Sequence, residues 1–318
     1  MVGHTNRYGR YIYRLLAPEA LLYSEMIVDQ SILRGQTVRL LAFDPSEHPV
    51  IAQIAGAQPE NLASAAKIIL EYGYDGINLN IGCPSPKTRK GKFGACLFSE
   101  PGLVRDMVYA VKETIPSPVS VKCRLGTEHS KGFDDFQTFI ETVSEAMPES
   151  FIVHARIAVL EGLNTTQNLN VPPLRYEYVQ RIKQDFPELK ITLNGGLRRY
   201  EEVKTALMWA DGVMLGRLAL NQPRELFDLY DQLAGINRTY NPFYMVRQYA
   251  TYVDGIRAPK PSMSVLLAPI RNLLDGYRGA KQYRSYLGSC SRSPHTLIEI
   301  VEQAMTAFSA QEQDAQAH

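Results

Sequence analysis

Short apolar runs rich in β-branched residues recur along the chain at 21–27, 50–55, 76–81, 119–125, 151–155, 191–194 and 212–215. Between most of them the apolar positions change to a helical period. Leu62, Ala65, Ala66 and Ile69 show it, as do Leu103, Met107, Val108 and Val111, and Phe136, Phe139, Ile140 and Val143. Strands alternating with helices predict an α/β fold with a parallel sheet. Seven strand signals follow an opening loop and helix, Gly3 to Leu16. A closed (β/α)8 TIM barrel takes eight strands. The expectation is therefore such a barrel with its first strand upstream of Met1. An open doubly wound sheet is the competing arrangement, but no G-x-G-x-x-G follows the first strand and no Walker sequence occurs.

With 318 residues, 45% of them hydrophobic, the chain can bury a barrel and an appendage. Its near-neutral total hides an asymmetry. Residues 1–235 carry 25 basic and 27 acidic side chains, residues 236–292 nine against two, and the tail is acidic. This divides the chain into a barrel domain (1–235), a helical polyanion-binding domain (236–310) and a polar, disordered tail (311–318). In 236–292, Tyr240, Phe243, Tyr244, Tyr249, Tyr252, Tyr277, Tyr283 and Tyr286 interleave with basic residues that include Arg278, Lys281 and Arg284. Basic groups neutralise phosphates and aromatics stack on unpaired bases, although at least half of these tyrosines are expected in the helical core. Cys83, Cys96, Cys123 and Cys290 stand at spacings that form neither a disulfide framework nor a metal site, which points to a reducing compartment. No apolar run is long enough to span a membrane, and no signal peptide is visible.

Polar residues collect where the predicted strands end: Gln53, Asn78 with Asn80, Lys122 with Arg124, His154 with Arg156, and Asn194. Each pair is spaced i, i+2 and shares one side of its strand. A strand buried on both faces is expected to be apolar throughout, so five successive polar endings are hard to explain as packing. In a parallel barrel these ends converge on the active-site face. Immediately beyond the third strand, Gly82 and Pro84 force a sharp turn that presents Cys83.

Asn194-Gly195-Gly196 and Gly216-Arg217 close the last two strands, where barrels commonly hold a phosphate. Arg217 adds a planar cationic fork. A phosphate-bearing flavin fits the remaining groups. Lys122 would offset negative charge at the N1–C2 edge of the ring, Gln53 would bond its pyrimidine edge, and His154 would lie on the phosphate side. Cys83 would face the flavin across the substrate, able to give a proton. Hydride and proton together reduce a polarised C=C bond.

The motifs I-N-L-N-I-G-C-P-S (77–85), G-A-C-L (94–97), V-K-C-R-L-G (121–126), V-H-A-R (153–156), N-G-G (194–196) and D-G-V-M-L-G-R (211–217) resemble, in order and spacing, those of the tRNA-dihydrouridine synthases. Y-S-E-M-I-V-D-Q (23–30), S-E-H-P-V (46–50), V-P-P-L-R (171–175) and G-A-K-Q-Y-R-S-Y-L (279–287) are most similar to the A subfamily, which acts at positions 20 and 20a. The resemblance implies FMN, NADPH as hydride source, and reduction of uridine to 5,6-dihydrouridine in the tRNA D-loop. It implies Cys83 as the acid at C5, and Met1, Gln53, Lys122, His154, Asn194, Gly195, Gly196, Gly216 and Arg217 as FMN contacts. Asn80 matches a residue beside the target base. Arg124, Arg278, Lys281 and Arg284 complete the expected tRNA side. Cys96 is read as packing. The departures are on that RNA side: Ile157, Thr166, Leu169, Ala268 and Pro269 stand where the subfamily carries charged residues. Lys87, Arg89, Lys90 and Lys92, close to Cys83, are candidates to compensate by meeting phosphates.

Two other readings stand beside this one. A flavin barrel acting on a small molecule, similar to a dihydroorotate dehydrogenase, would not need the basic, aromatic appendage. An RNA-binding protein without catalysis would not need Cys83. The expected protein is a monomer without metal. It is expected in the cytoplasm, or in an organelle if a targeting segment precedes Met1.

Overall fold

The computed structural model describes residues 1–257, 259–293 and 295–316. Helix α1 (Arg7–Leu16) precedes a seven-stranded sheet. The strands are β1 (Leu22–Val28), β2 (Val50–Ala55), β3 (Gly76–Ile81), β4 (Val119–Arg124), β5 (Phe151–His154), β6 (Ile191–Asn194) and β7 (Gly212–Met214), and they lie in chain order. Every register from β2 to β7 is parallel. The connecting helices are α2 (Pro59–Glu71), α3 (Pro101–Thr114), α4 (Phe133–Ser144), α5 (Tyr176–Asp185) and α6 (Tyr200–Leu207). This is the β/α barrel architecture that the alternation predicts, with strand bounds within a residue of those expected.

The chain forms two compact units. The first, residues 23–43 and 48–215, contains the sheet and α2 to α6. Strand β2, Val-Ile-Ala-Gln-Ile-Ala, is buried at every position because helices cover one face and the strand interior the other. Each helix buries the stripe its periodicity marks, for example Leu62, Ala65, Ala66 and Ile69 on α2.

The second unit gathers residues 1–22, 44–47 and 216–318. It holds α1, α7 (Pro223–Ala234), α8 (Pro242–Gly255), α9 (Ala280–Ser289) and α10 (Leu297–Gln316). The expected division at 235/236 therefore differs from the observed grouping, which places α1 with the C-terminal helices. The physical reason is a set of specific contacts. Tyr11 stacks on Tyr252 with ring centroids 4.0 Å apart, and Arg7 donates to the Tyr252 hydroxyl at 2.7 Å. Arg238, tied to Asp231, caps the end of α1 by donating to the carbonyls of Leu15 and Leu16. Tyr240, Tyr249 and Tyr283 are buried and donate to the carbonyls of Leu273, Leu266 and Ile270. These three are core residues, the packing role expected for many of the aromatics. Helix α10 continues to Gln316, across most of the segment whose composition reads as disordered; residues 317 and 318 lie outside the described residues.

Candidate active site

The parallel registers stack the polar strand ends into layers. Gln53 pairs with Asn78, and Asn78 with Ser120. One residue pair higher, Asn80 stands beside Lys122. Above them Arg124, His154, Asn194 and Met214 share one level. The side chains bond along the lower layers. Gln53 donates to Asn78 Oδ1 at 2.8 Å, Asn78 donates to Ser120 Oγ at 2.9 Å, and Asn80 donates to Gln53 Oε1 at 2.8 Å. A buried amide is tolerated only when satisfied in this way. The network therefore fixes which way Gln53 and Asn80 point.

Lys122 Nζ reaches past β5 to Asn194 Oδ1 on β6, at 3.2 Å, and Asn194 in turn donates to the carbonyl of Met214. Such a bridge requires a concave sheet face. No carboxylate accompanies Lys122 among the described residues, and burial pulls its pKa down from 10.5 to about 8. Next to it, Gly195 and Gly196 have φ of +120° and +74°. A Cβ at Gly195 would lie 2.8 Å from His154, and one at Gly196 would lie 2.5 Å from Leu174. The backbone there is open only because side chains are absent. Tyr176 holds this turn by donating to the carbonyl of Gly195 at 2.5 Å.

The Cys83 loop is held from both sides. Asn80 Oδ1 accepts from Gly82 N at 3.1 Å and from Cys83 N at 2.9 Å, an Asx turn that aims the residue. The Cys83 carbonyl accepts from Thr88 Oγ1 at 2.9 Å and from Ala95 N at 3.0 Å. Thr88 is itself fully buried, on the short helix Pro86–Lys90 capped by Ser85. Cys96 follows Ala95 directly, so its place is fixed through Cys83. Its thiol is half-buried, and burial raises its pKa.

The other expected contacts are found in the following settings. Arg124, expected on the tRNA side, is 4% exposed and donates to the carbonyls of Gly82, Ile157 and Asn168. It ties the loop after β3 to the loop after β5, and burial lowers its pKa to about 10. Asn168, fully buried, organises that second loop by bonding both backbone groups of Val159. Within the other unit, Arg284 is paired with Asp275, whereas Arg278 and Lys281 are exposed. Met1 lies against Gly216 there, its Sδ 3.3 Å from where a Cβ would stand, and Arg217 opens a short helix, Arg217–Asn221. Sequence reasoning missed Thr88, Ser120, Asn168 and Tyr176. Only Thr88 carried a signal, in the Ser85-Pro86 helix start before it.

A parallel β/α sheet with a loop thiol, a half-buried lysine and a glycine cradle at its C-terminal edge defines a barrel enzyme with its chemistry on that edge. The chain belongs to the dihydrouridine synthase family, whose family model matches residues 1–309. It is 40% identical over 307 residues to a tRNA-dihydrouridine(20/20a) synthase of Xanthomonas axonopodis pv. citri, covering 96% of this chain and 91% of that protein. A Vibrio cholerae protein of the same name is 37% identical over 314 residues, covering 98% and 96%. A third, from Synechocystis, is 38% identical over 312 residues, covering 96% and 92%. Among the described residues no helix is long and apolar enough to cross a membrane, and no group of side chains is arranged to hold a metal.

Proposed function

We propose that this protein reduces uridine to 5,6-dihydrouridine in the D-loop of tRNA, at positions 20 and 20a, using FMN as cofactor and NADPH as hydride source. The observation that carries the reading is Lys122, a desolvated ammonium with no anionic partner among the described residues, on the strand next to the one that leads into Cys83. The residues present fit a flavin. Lys122 offers positive charge to an electron-rich ring edge, Gln53 offers an amide beside it, and the glycines of 195–196 leave backbone room for a phosphate. Met1, Gly216 and Arg217 are assigned to the same cofactor by the family resemblance. When bound, FMN would supply the hydride that reaches C6 of the uracil.

The chain's own residues do the rest. Asn80 orients the backbone of Cys83 and stands beside the base. Cys83 Sγ–H gives its proton to C5, completing the addition of H⁻ and H⁺ across the double bond. Arg124 holds the loops on either side of the site. On the RNA side, Arg271, Arg278 and Lys281 are exposed and make no ion pair among the described residues, as groups awaiting phosphates would be.

The test is direct. FMN-loaded protein with NADPH and unmodified tRNA transcript is expected to place dihydrouridine at 20 and 20a, located by mapping the product. Modification at other uridines would overturn the position, and no dihydrouridine would overturn the reaction. Asn80→Ala is expected to lower single-turnover dihydrouridine formation about 10²-fold, the scale of a small misplacement of a reacting group. It should also change the alkylation rate of Cys83 by a small thiol reagent. An unchanged alkylation rate would mean that the turn does not depend on Asn80.

A further inference from the structure

Between Pro84 and Phe93, directly after the reactive thiol, the chain carries Lys87, Arg89, Lys90 and Lys92 and no acid. The three lysines are exposed. None of the four side chains makes a hydrogen bond or ion pair among the described residues. Arg89 is the informative member, because its Nε is buried and has no partner. Arg89 is half-buried, so its Nε is held against the protein while its charge stays uncompensated by any hydrogen bond or ion pair among the described residues, and an anion at its accessible edge would supply that compensation. Arg89, Glu128 and Cys83 all act electrostatically on Cys96, which places the guanidinium within electrostatic range of the thiol loop. The far side of the site is the opposite in charge: in 157–169 the one charged residue is Glu161.

We infer that Lys87, Arg89, Lys90 and Lys92 form a cradle for the RNA backbone phosphates flanking the target uridine, with Arg89 on the phosphate nearest the reduced base. This rests on the proposed function and names the surface by which that site takes its RNA. A base reaches Cys83 only if its own sugar and phosphate pass beside it, and the turn that presents the thiol also presents the cations. The strand is therefore held from the thiol side, because the 157–169 loop offers no positive charge to hold it from the other. Arg89 supplies a fork for two phosphate oxygens, and the lysines supply point charges along the track.

The test measures binding of an unmodified tRNA transcript to the full-length, FMN-loaded protein by fluorescence anisotropy between 50 and 200 mM salt, alongside steady-state kinetics. The combined Lys87→Gln, Arg89→Gln, Lys90→Gln, Lys92→Gln variant is expected to lower the slope of log K against log [salt] by about 0.7 for each phosphate contact removed. That is a change of two to three. Arg89→Gln alone should raise KM for tRNA about tenfold, and Arg89→Lys should recover most of that loss. Lys190→Gln, just before β6 and paired with Glu149, should leave the slope alone. An unchanged slope and KM in the combined variant would overturn the inference. So would an Arg89→Gln enzyme that loses kcat with KM and slope intact, since that marks a prop for the thiol. A wild-type protein that binds tRNA but forms no dihydrouridine would overturn the proposed reaction while leaving the slope comparison decisive. One that binds no tRNA would overturn both.

Discussion

Replacing Cys83 with alanine is expected to lower dihydrouridine formation by roughly 10²–10⁴-fold, the range for losing a general acid. Reduction of bound FMN by NADPH should continue, because that half-reaction needs no proton from the thiol. Cys96→Ala should leave both half-reactions near normal. The two cysteines are joined through one carbonyl, since Ala95 N donates to the oxygen of Cys83, so proximity alone does not separate them. The strand register does: Cys83 continues the β3 edge that carries Asn80 beside Lys122, whereas Cys96 lies in the turn Gly94–Ser99 behind it. Stopped-flow flavin absorbance and quantitation of dihydrouridine in the same samples would check the assignment. A Cys83→Ala enzyme at wild-type rate, or an inactive Cys96→Ala enzyme, would reverse it.

Lys122→Met is expected to do two opposite things. It should weaken FMN binding by at least tenfold, read by fluorescence titration, and it should stabilise the cofactor-free protein at neutral pH. The second effect follows from the sign of the pKa shift. The folded value is about 8 and the unfolded value 10.5. Between them the unfolded chain keeps a proton that the folded chain has released. Wild-type stability therefore carries a contribution that rises with pH across that window, worth on the order of 3 kcal/mol. Below pH 8 both states hold the proton, and the folded state bears the full burden of a buried charge. Methionine removes both the burden and the slope. Urea unfolding of wild type and variant at pH 7.5 and 9.5 would show a difference that shrinks as pH rises. A difference independent of pH, or FMN affinity equal to wild type, would contradict the account.

Much of this was legible in the chain. The strand positions were, because a buried parallel strand is a continuous apolar run and the helices between them are periodic. The members of the polar layers were legible too, because a lysine, a histidine and four amides at strand ends break that apolar rule. What could not be read was how each side chain is used. Arg124 and Lys122 are two residues apart on one strand, yet one is consumed by three carbonyls and the other has a single neutral partner. That difference depends on loops arriving from 82, 157 and 168, and no local pattern encodes where a loop carbonyl will point. Ser120 and Asn168 escaped notice for the same reason: each is an ordinary polar residue locally and becomes structural only through the partners that the fold brings to it. The grouping of α1 with the C-terminal helices likewise depends on Arg7, Tyr11 and Arg238 finding partners more than 200 positions away.

The cradle at Gly195 and Gly196 bears on how such a protein can drift. Every missense change reachable from a glycine codon by one nucleotide brings in a residue with a Cβ, and at these positions that atom would meet His154 or Leu174 within 2.8 Å. Compensation would need a coordinated second change, so these two codons are closed to stepwise exploration. The exposed Lys87 and Lys90 face no such barrier, since neither side chain has a partner among the described residues; Lys92, with φ of +54°, is open to fewer replacements. Descendants of this gene can therefore retune which RNA they accept by single steps, while the cradle stays as it is.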